Sequence, residues 1–168
     1  MSGVLSRRTA LVAGLAVLTL SACGTPPPEE PNFRNQEVAI GGTTRFDPAL
    51  FDGEWFVVAR MPDASAAPRK FTYERLIDQM REAGDGPVRR YRVREGSVLQ
   101  QVPTSLDDRL VVMWVDDDFR TAAVGTIDGK RGTIFDRSPE GSEDRIRAAT
   151  EVMEFYGWDV GRLIRVAP

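Results

Sequence analysis

The pair Asp128-Gly129 separates two strand-like runs, "FRTAAVGTID" and "KRGTIFDR". An Asp-Gly step between such runs is a strong hairpin signal, because the tight turn needs a positive φ that glycine adopts without a steric clash. The chain must double back there as neighbouring antiparallel strands. "RLVVMWVD", Arg109 to Asp116, reads as another strand, apolar on both faces. "EWFVVAR" alternates, with Trp55, Val57 and Ala59 on one face and Phe56, Val58 and Arg60 on the other, which is a strand period. The domain is therefore mainly β. "SEDRIRAATEVMEFYGWD" breaks the pattern. Ser142 is placed as an N-cap, with Glu143 and Asp144 where the helix dipole favours acids. Ile146, Ala149, Met153 and Tyr156 share one helical face, and Gly157 is placed to end the helix. "RLIRVAP" closes the chain as a short extended segment.

The middle of the chain is less constrained. In "FTYERLIDQMREAG", Tyr73, Leu76, Ile77 and Met80 stand at i, i+3, i+4 and i+7, and Gly84 follows as a stop. This spacing favours a helix from Tyr73 to Ala83. Phe71, Tyr73 and Ile77 also fit an interrupted strand over the same residues.

The N-terminus does not belong to the domain. "MSGVLSRR" is a short basic segment, and "TALVAGLAVLTL" is an apolar run of signal-peptide length. A membrane span needs about 20 apolar residues, and this run stops short of that. It stops at "LSAC", Leu20 to Cys23, which resembles the lipobox of bacterial lipoproteins, where the peptide is cut before a cysteine that carries diacylglycerol. "SRRTAL" also loosely resembles a twin-arginine export signal. The segment "GTPPPEEPN" is too rich in proline and acid to bury anything, and reads as an extended tether. The chain divides into a signal peptide over 1–22, a lipidated tether over 23–36 and a folded domain over 37–168. Gly24 is not aspartate, and by resemblance to enterobacterial lipoproteins this favours the outer membrane.

Composition narrows the chemistry. The chain contains no histidine and one cysteine, Cys23. With that thiol acylated there is no disulfide, no thiolate metal site, no imidazole base and no sulfur nucleophile. The first 22 residues carry two arginines and no acid, so their removal takes the net charge from −3 to −5. An acidic mature chain gives no reason to expect nucleic acid. The densest carboxylate cluster, Asp116 to Asp118 in "VDDDF", lacks the alternating acids and glycine of a calcium loop. It reads as a solvated turn. No phosphate-binding glycine loop follows a strand, and no G-x-S-x-G elbow occurs. No catalytic or metal-binding residue is identified and no cofactor is expected.

Gly53 and Trp55 form a G-x-W at the head of the first strand, and Arg137 ends the last hairpin in "IFDRSP". Between them, Trp114 through Asp118, Phe119 and Arg120 to Val124 form an apolar strand, an acidic turn with an aromatic, and a strand of small residues. In this order the pieces resemble the lipocalin family, and most closely its bacterial lipoprotein branch related to apolipoprotein D. The resemblance covers Phe51 to Arg60 and Leu110 to Val166. It implies an eight-stranded antiparallel up-and-down barrel with a C-terminal helix, in which Trp55 plugs one end and Arg137 packs over it. Phe56 stands where this branch usually has tyrosine. Only the 49 residues from Met61 to Arg109 are available for four strands, so the barrel is expected to be short, incomplete or partly helix-capped. By this resemblance the protein is not an enzyme. It would carry a small hydrophobic ligand, a fatty acid or a lysophospholipid, with Val57 and Met113 lining the cavity. It would be anchored through Cys23 to the outer membrane, facing the periplasm. The alternative is an envelope structural or interaction protein with a filled, degenerate barrel.

Overall fold

A computed structural model describes residues 32–103 and 109–168. Among the described residues nine strands form one antiparallel sheet: β1 (Gly53–Arg60), β2 (Arg69–Glu74), β3 (Gln79–Ala83), β4 (Arg89–Arg94), β5 (Val98–Gln101), β6 (Arg109–Val115), β7 (Thr121–Thr126), β8 (Gly132–Asp136) and β9 (Ile164–Arg165). The first eight are joined in chain order, and β1 pairs with both β8 and β2, which closes the barrel. The β1–β2 seam is short, running from Gly53↔Phe71 to Trp55↔Arg69. Beyond it the edge of β1 is taken by β9, through Ala59↔Arg165 and Arg60↔Ile164.

A short helix α1 (Pro48–Phe51) precedes β1, capped by the Asp47 side chain, which accepts from the Ala49 N–H at 2.8 Å. The long helix α2 (Glu143–Phe155) lies on the outer face of β6–β8 and buries Ile146, Ala149 and Met153. Gly157, at φ +84°, ends it. Gly129, at φ +75°, occupies the β7–β8 turn, as the Asp-Gly step requires.

The helix expected over Tyr73–Ala83 is absent. That stretch is the β2–β3 hairpin, whose strands pair from Lys70↔Ala83 to Glu74↔Gln79. A single 3-10 turn, Arg75–Ile77, forms its tip, and Asp78 takes a left-handed φ of 50° to reverse the chain. The apolar spacing is drawn from three environments. Met80 points into the barrel, Tyr73 packs partly against the interior, and Leu76 and Ile77 project from the tip, Leu76 fully exposed. Four short strands, β2 to β5, therefore fit between Met61 and Arg109, and the barrel is complete.

Two bulges decide which residues face inward. At Val58, β1 shifts register against β8, between Val57↔Phe135 and Ala59↔Ile134. At Met113, β6 shifts against β7, between Val112↔Val124 and Trp114↔Ala123. Each bulge puts two consecutive side chains on the outer face. Trp55 and Val57 thus face the interior, but Ala59 joins Val58 against α2, contrary to the simple alternation.

The barrel wall separates two apolar cores. The interior holds Trp55, Phe71, Met80, Tyr91, Leu99 and Phe135, among others. The outer core lies under α2 and includes Val111, Met113, Ile134, Met153 and Trp158. Trp158 rests on a floor of two glycines: a Cβ on Gly125 would fall 2.3 Å from the indole, and one on Gly132 2.7 Å. Packed structure begins upstream of Glu37, inside the segment assigned to the tether. Phe33 is buried, and Arg34 forms a bridge with Trp158.

Candidate functional site: the two ends of the barrel

The end at which β1 begins is sealed. Gly53 has φ +115°, and a Cβ there would meet the Arg137 guanidinium at 2.8 Å. Both conditions favour glycine. The Trp55 indole is fully buried and donates its N–H to the Phe51 carbonyl at 2.8 Å. The Phe51 ring stacks on it at 4.7 Å, and the Arg137 guanidinium covers it at 3.8 Å from the ring centroid. Arg137 also donates to the carbonyls of Leu50, Asp52, Glu54 and Phe119, at 2.8 to 3.3 Å. One side chain thereby ties α1 and the start of β1 to the β6–β7 turn. Burial lowers the Arg137 pKa, with the Asp52 carboxylate opposing the shift; the carbonyl contacts replace the water that burial removes.

In that same turn the acids divide. Asp116 accepts from the backbone N–H groups of Arg120 and Thr121, at 2.6 and 2.5 Å. Asp117 pairs with Arg45, and Asp118 with Arg120 at 2.7 Å. Asp116 is a turn cap, and the others are exposed ion-pair partners. Among the described residues no group of three or more metal-ligating side chains is assembled.

The opposite end is built differently. Strand alternation through Phe71, Met80 and Tyr91 also points Arg69, Glu82 and Arg89 inward, so charged residues occupy interior positions of β2, β3 and β4. Arg69 Nε lies 3.2 Å from Glu82, both side chains being about nine-tenths buried. The Tyr91 hydroxyl donates to the other Glu82 oxygen at 2.6 Å. Burial raises the Tyr91 pKa, and the adjacent Glu82 charge raises it further. Arg69 also meets Asp85 at 2.8 Å, and the Ser65 hydroxyl donates to Asp85 at 2.6 Å, clasping the loops 61–68 and 84–88. That hydroxyl is the main reason the Asp85 pKa is lowered, with Arg69 contributing.

Inside this charged collar lies a cavity of about 140 Å³. Its floor is apolar, formed by Val57, Phe71, Leu110, Val124 and Phe135, and its rim carries Arg69, Arg89, Arg131, Glu82 and Asp85. Val57 therefore lines the cavity. Met113 does not: it shares the outer face with Val111, alternating with the inward Val112, and packs with the outer core. Cys23 lies outside the described residues. The collar went unrecognised in the sequence, although charged residues two positions from interior aromatics, as in "RKFTY" and "RRYRV", are the signal that could have shown it.

A family model described as a lipocalin-like domain matches residues 81–168. The chain belongs to this family. The match covers strands β4 to β9 and α2 in full, and most of β3, whereas Gly53 and Trp55 lie before it. Among solved structures, this lipocalin is similar to the major allergen Per a 4 from cockroaches, at 14% identity and a TM-score of 0.58, over 77% of this chain and 94% of that one. It is also similar to lobster apocrustacyanin A1, at 15% identity and a TM-score of 0.55, over 83% of this chain and 93% of the other. At such identities the likeness concerns the fold. No curated protein matches the sequence.

Proposed function

We propose that this lipocalin is a lipid-anchored envelope protein that binds a small hydrophobic ligand through the open end of its barrel. The observation that carries the reading is the apolar-floored cavity at one end of a barrel whose other end is plugged by Trp55. An eight-stranded barrel is just wide enough to hold one small ligand. Family membership supports a binding role in place of catalysis. The lipobox "LSAC" supports acylation of Cys23, and Gly24 supports an outer-membrane address facing the periplasm.

Native mass spectrometry of the full-length protein after gentle extraction tests the ligand. A co-purifying small apolar molecule is expected. Its consistent absence, with no saturable uptake of added probes, would refute the reading. Cell fractionation tests the anchor: Cys23→Ser should move the protein out of the membrane fraction, and a variant that stays there contradicts acylation.

A second reading has an observation in its favour. The plugged half of the barrel is filled by Phe51, Trp55, Phe71, Met80, Tyr91 and Leu99, all fully buried. An envelope interaction protein with a largely filled barrel would look the same at that end. It predicts a co-purifying protein partner and no saturable binding of apolar probes.

A further inference from the structure

The rim of the open-end cavity is not electrostatically neutral. Three arginines, Arg69, Arg89 and Arg131, face two carboxylates, Glu82 and Asp85, leaving one positive charge in excess. Their pairing is unequal. Arg69 is held by both carboxylates, at 3.2 and 2.8 Å, while Arg89 approaches Glu82 only at 3.9 Å. Among the described residues no carboxylate pairs with Arg131, and its guanidinium makes no hydrogen bond. Its backbone is fixed nonetheless, with its N–H donating to the Thr126 hydroxyl at 3.1 Å and its carbonyl accepting from the Thr126 N–H at 2.8 Å. Its charge reaches the barrel interior, where it opposes the rise in the Tyr91 pKa that burial causes. An arginine at the end of a short hairpin, aimed across an apolar floor without a counter-charge, fits an anionic head on an apolar body.

Size limits that body. Cavities that hold drug-sized ligands run to about 300–1,000 Å³, whereas an apolar cavity of about 150 Å³ takes benzene. At about 140 Å³ this one matches a single ring and falls well short of a long acyl chain.

We infer that the open end takes a compact monocarboxylate with an apolar body about one ring in size. Its head pairs with Arg131, and its body rests on Phe71, Val124 and Phe135. The inference rests on the reading of this end as the ligand site, and it narrows that site away from fatty acids and lysophospholipids. Arg89 stands as a second, loosely engaged cation beside the head, and the Arg69–Glu82–Tyr91 chain holds the wall behind it in place.

Saturation-transfer NMR on the full-length chain in lipid nanodiscs, blanked against empty nanodiscs, tests it with benzoate, benzyl alcohol and palmitate as probes. Benzoate should bind saturably, with a Kd at least about tenfold below that of benzyl alcohol, and palmitate should not displace it. Arg131→Gln should bring the two ring compounds within about twofold of each other, while Arg131→Lys keeps most of the preference. Melting curves establish that both variants are folded. Equal binding of benzoate and benzyl alcohol, or a preference that survives Arg131→Gln, overturns the role of the charge. Saturable palmitate binding without benzoate binding overturns the size limit but leaves the open end as a ligand site. Failure of all three probes overturns both the inference and the reading beneath it.

Discussion

Replacing Trp55 by alanine tests the plugged end most directly. The indole is fully buried between the Phe51 ring at 4.7 Å and the Arg137 guanidinium at 3.8 Å, and its N–H is bonded to the Phe51 carbonyl. Truncating a large buried aromatic costs about 3–5 kcal/mol through lost transfer energy and the void left behind. The upper end applies here, for two reasons. The hydrogen bond is worth about 1 kcal/mol and leaves a buried carbonyl unpaired. The guanidinium contact on the indole is worth about another 1–2 kcal/mol in a desolvated setting. Neighbouring Phe51 and Phe71 are themselves locked edge to face at 5.0 Å and cannot collapse into the gap without losing that contact. At about 2–4 °C per kcal/mol for a domain of this size, the melting temperature should fall by roughly 10–20 °C. Trp55→Phe keeps a ring under Arg137 but loses the N–H donor, so it should cost only about 1–2 kcal/mol. Urea unfolding followed by circular dichroism gives both numbers, and the m-value should stay constant. A Trp55→Ala protein melting within about 3 °C of the parent would refute the plug.

Three further perturbations probe other parts of the barrel. Gly125→Ala places a methyl 2.3 Å from the Trp158 ring, which is rigid and walled by Gly132. It should lower stability by about 1–3 kcal/mol in a thermal melt, and a neutral result would mean that α2 shifts freely. Arg145 donates to Asp136 at 3.1 Å and to the Thr121 hydroxyl at 2.6 Å, and Asp136 is almost wholly buried. Arg145→Ala should therefore cost about 3–5 kcal/mol by leaving that buried carboxylate without its counter-charge, whereas Arg147→Ala, which loses an ion pair with the exposed Asp144 at 2.7 Å, should cost less than about 1 kcal/mol. Tyr91 has a raised pKa in the folded state. Above about pH 10 the unfolded chain releases this proton and the folded one keeps it, so folding stability falls as pH rises, by up to about 1.4 kcal/mol per pH unit. Tyr91→Phe should remove that part of the alkaline slope in urea titrations between pH 9.5 and 11, conditions set by the unperturbed tyrosine pKa of about 10; an unchanged slope would show that Tyr91 ionises freely.

What could be read from the sequence was what local chemistry determines. Asp128-Gly129 fixes a hairpin because only a positive φ closes it. Ser142 to Gly157 declares a helix through one apolar stripe and a glycine stop. Gly53, Trp55 and Arg137 could be singled out because, in that order, they resemble the lipocalin pattern. The β2–β3 hairpin was misread because Leu76 and Ile77 are apolar yet sit at its tip, where burial plays no part in holding them. Met113 was misplaced because β6 is apolar on both faces and both are buried, so the strand itself does not say which set of side chains lines the barrel. The Arg69–Glu82–Tyr91 network joins three strands, and nothing within any one of them announces the pairing.

The small cavity follows from the same shortness that made the middle of the chain hard to read. In a barrel, strand number and shear set the width, while strand length sets the height. Strands β2 to β5 have only four to six residues each, about 13–20 Å of extended chain, and tilt shortens the barrel further. Each strand then offers only two or three interior positions. Trp55 plugs one end, Met80, Tyr91 and Leu99 fill more of the interior, and Phe71 and Phe135 form the floor of the cavity. What remains at the open end is a single layer, in which three inward positions carry Arg69, Glu82 and Arg89. A longer barrel could bury an acyl chain beneath such a collar. In this one the collar sits almost directly on the filled core, so shape and charge act on the same few atoms of any ligand. Lengthening β4 and β5 by two residues each would separate them, and should enlarge the cavity before it changes the preference for an anionic head.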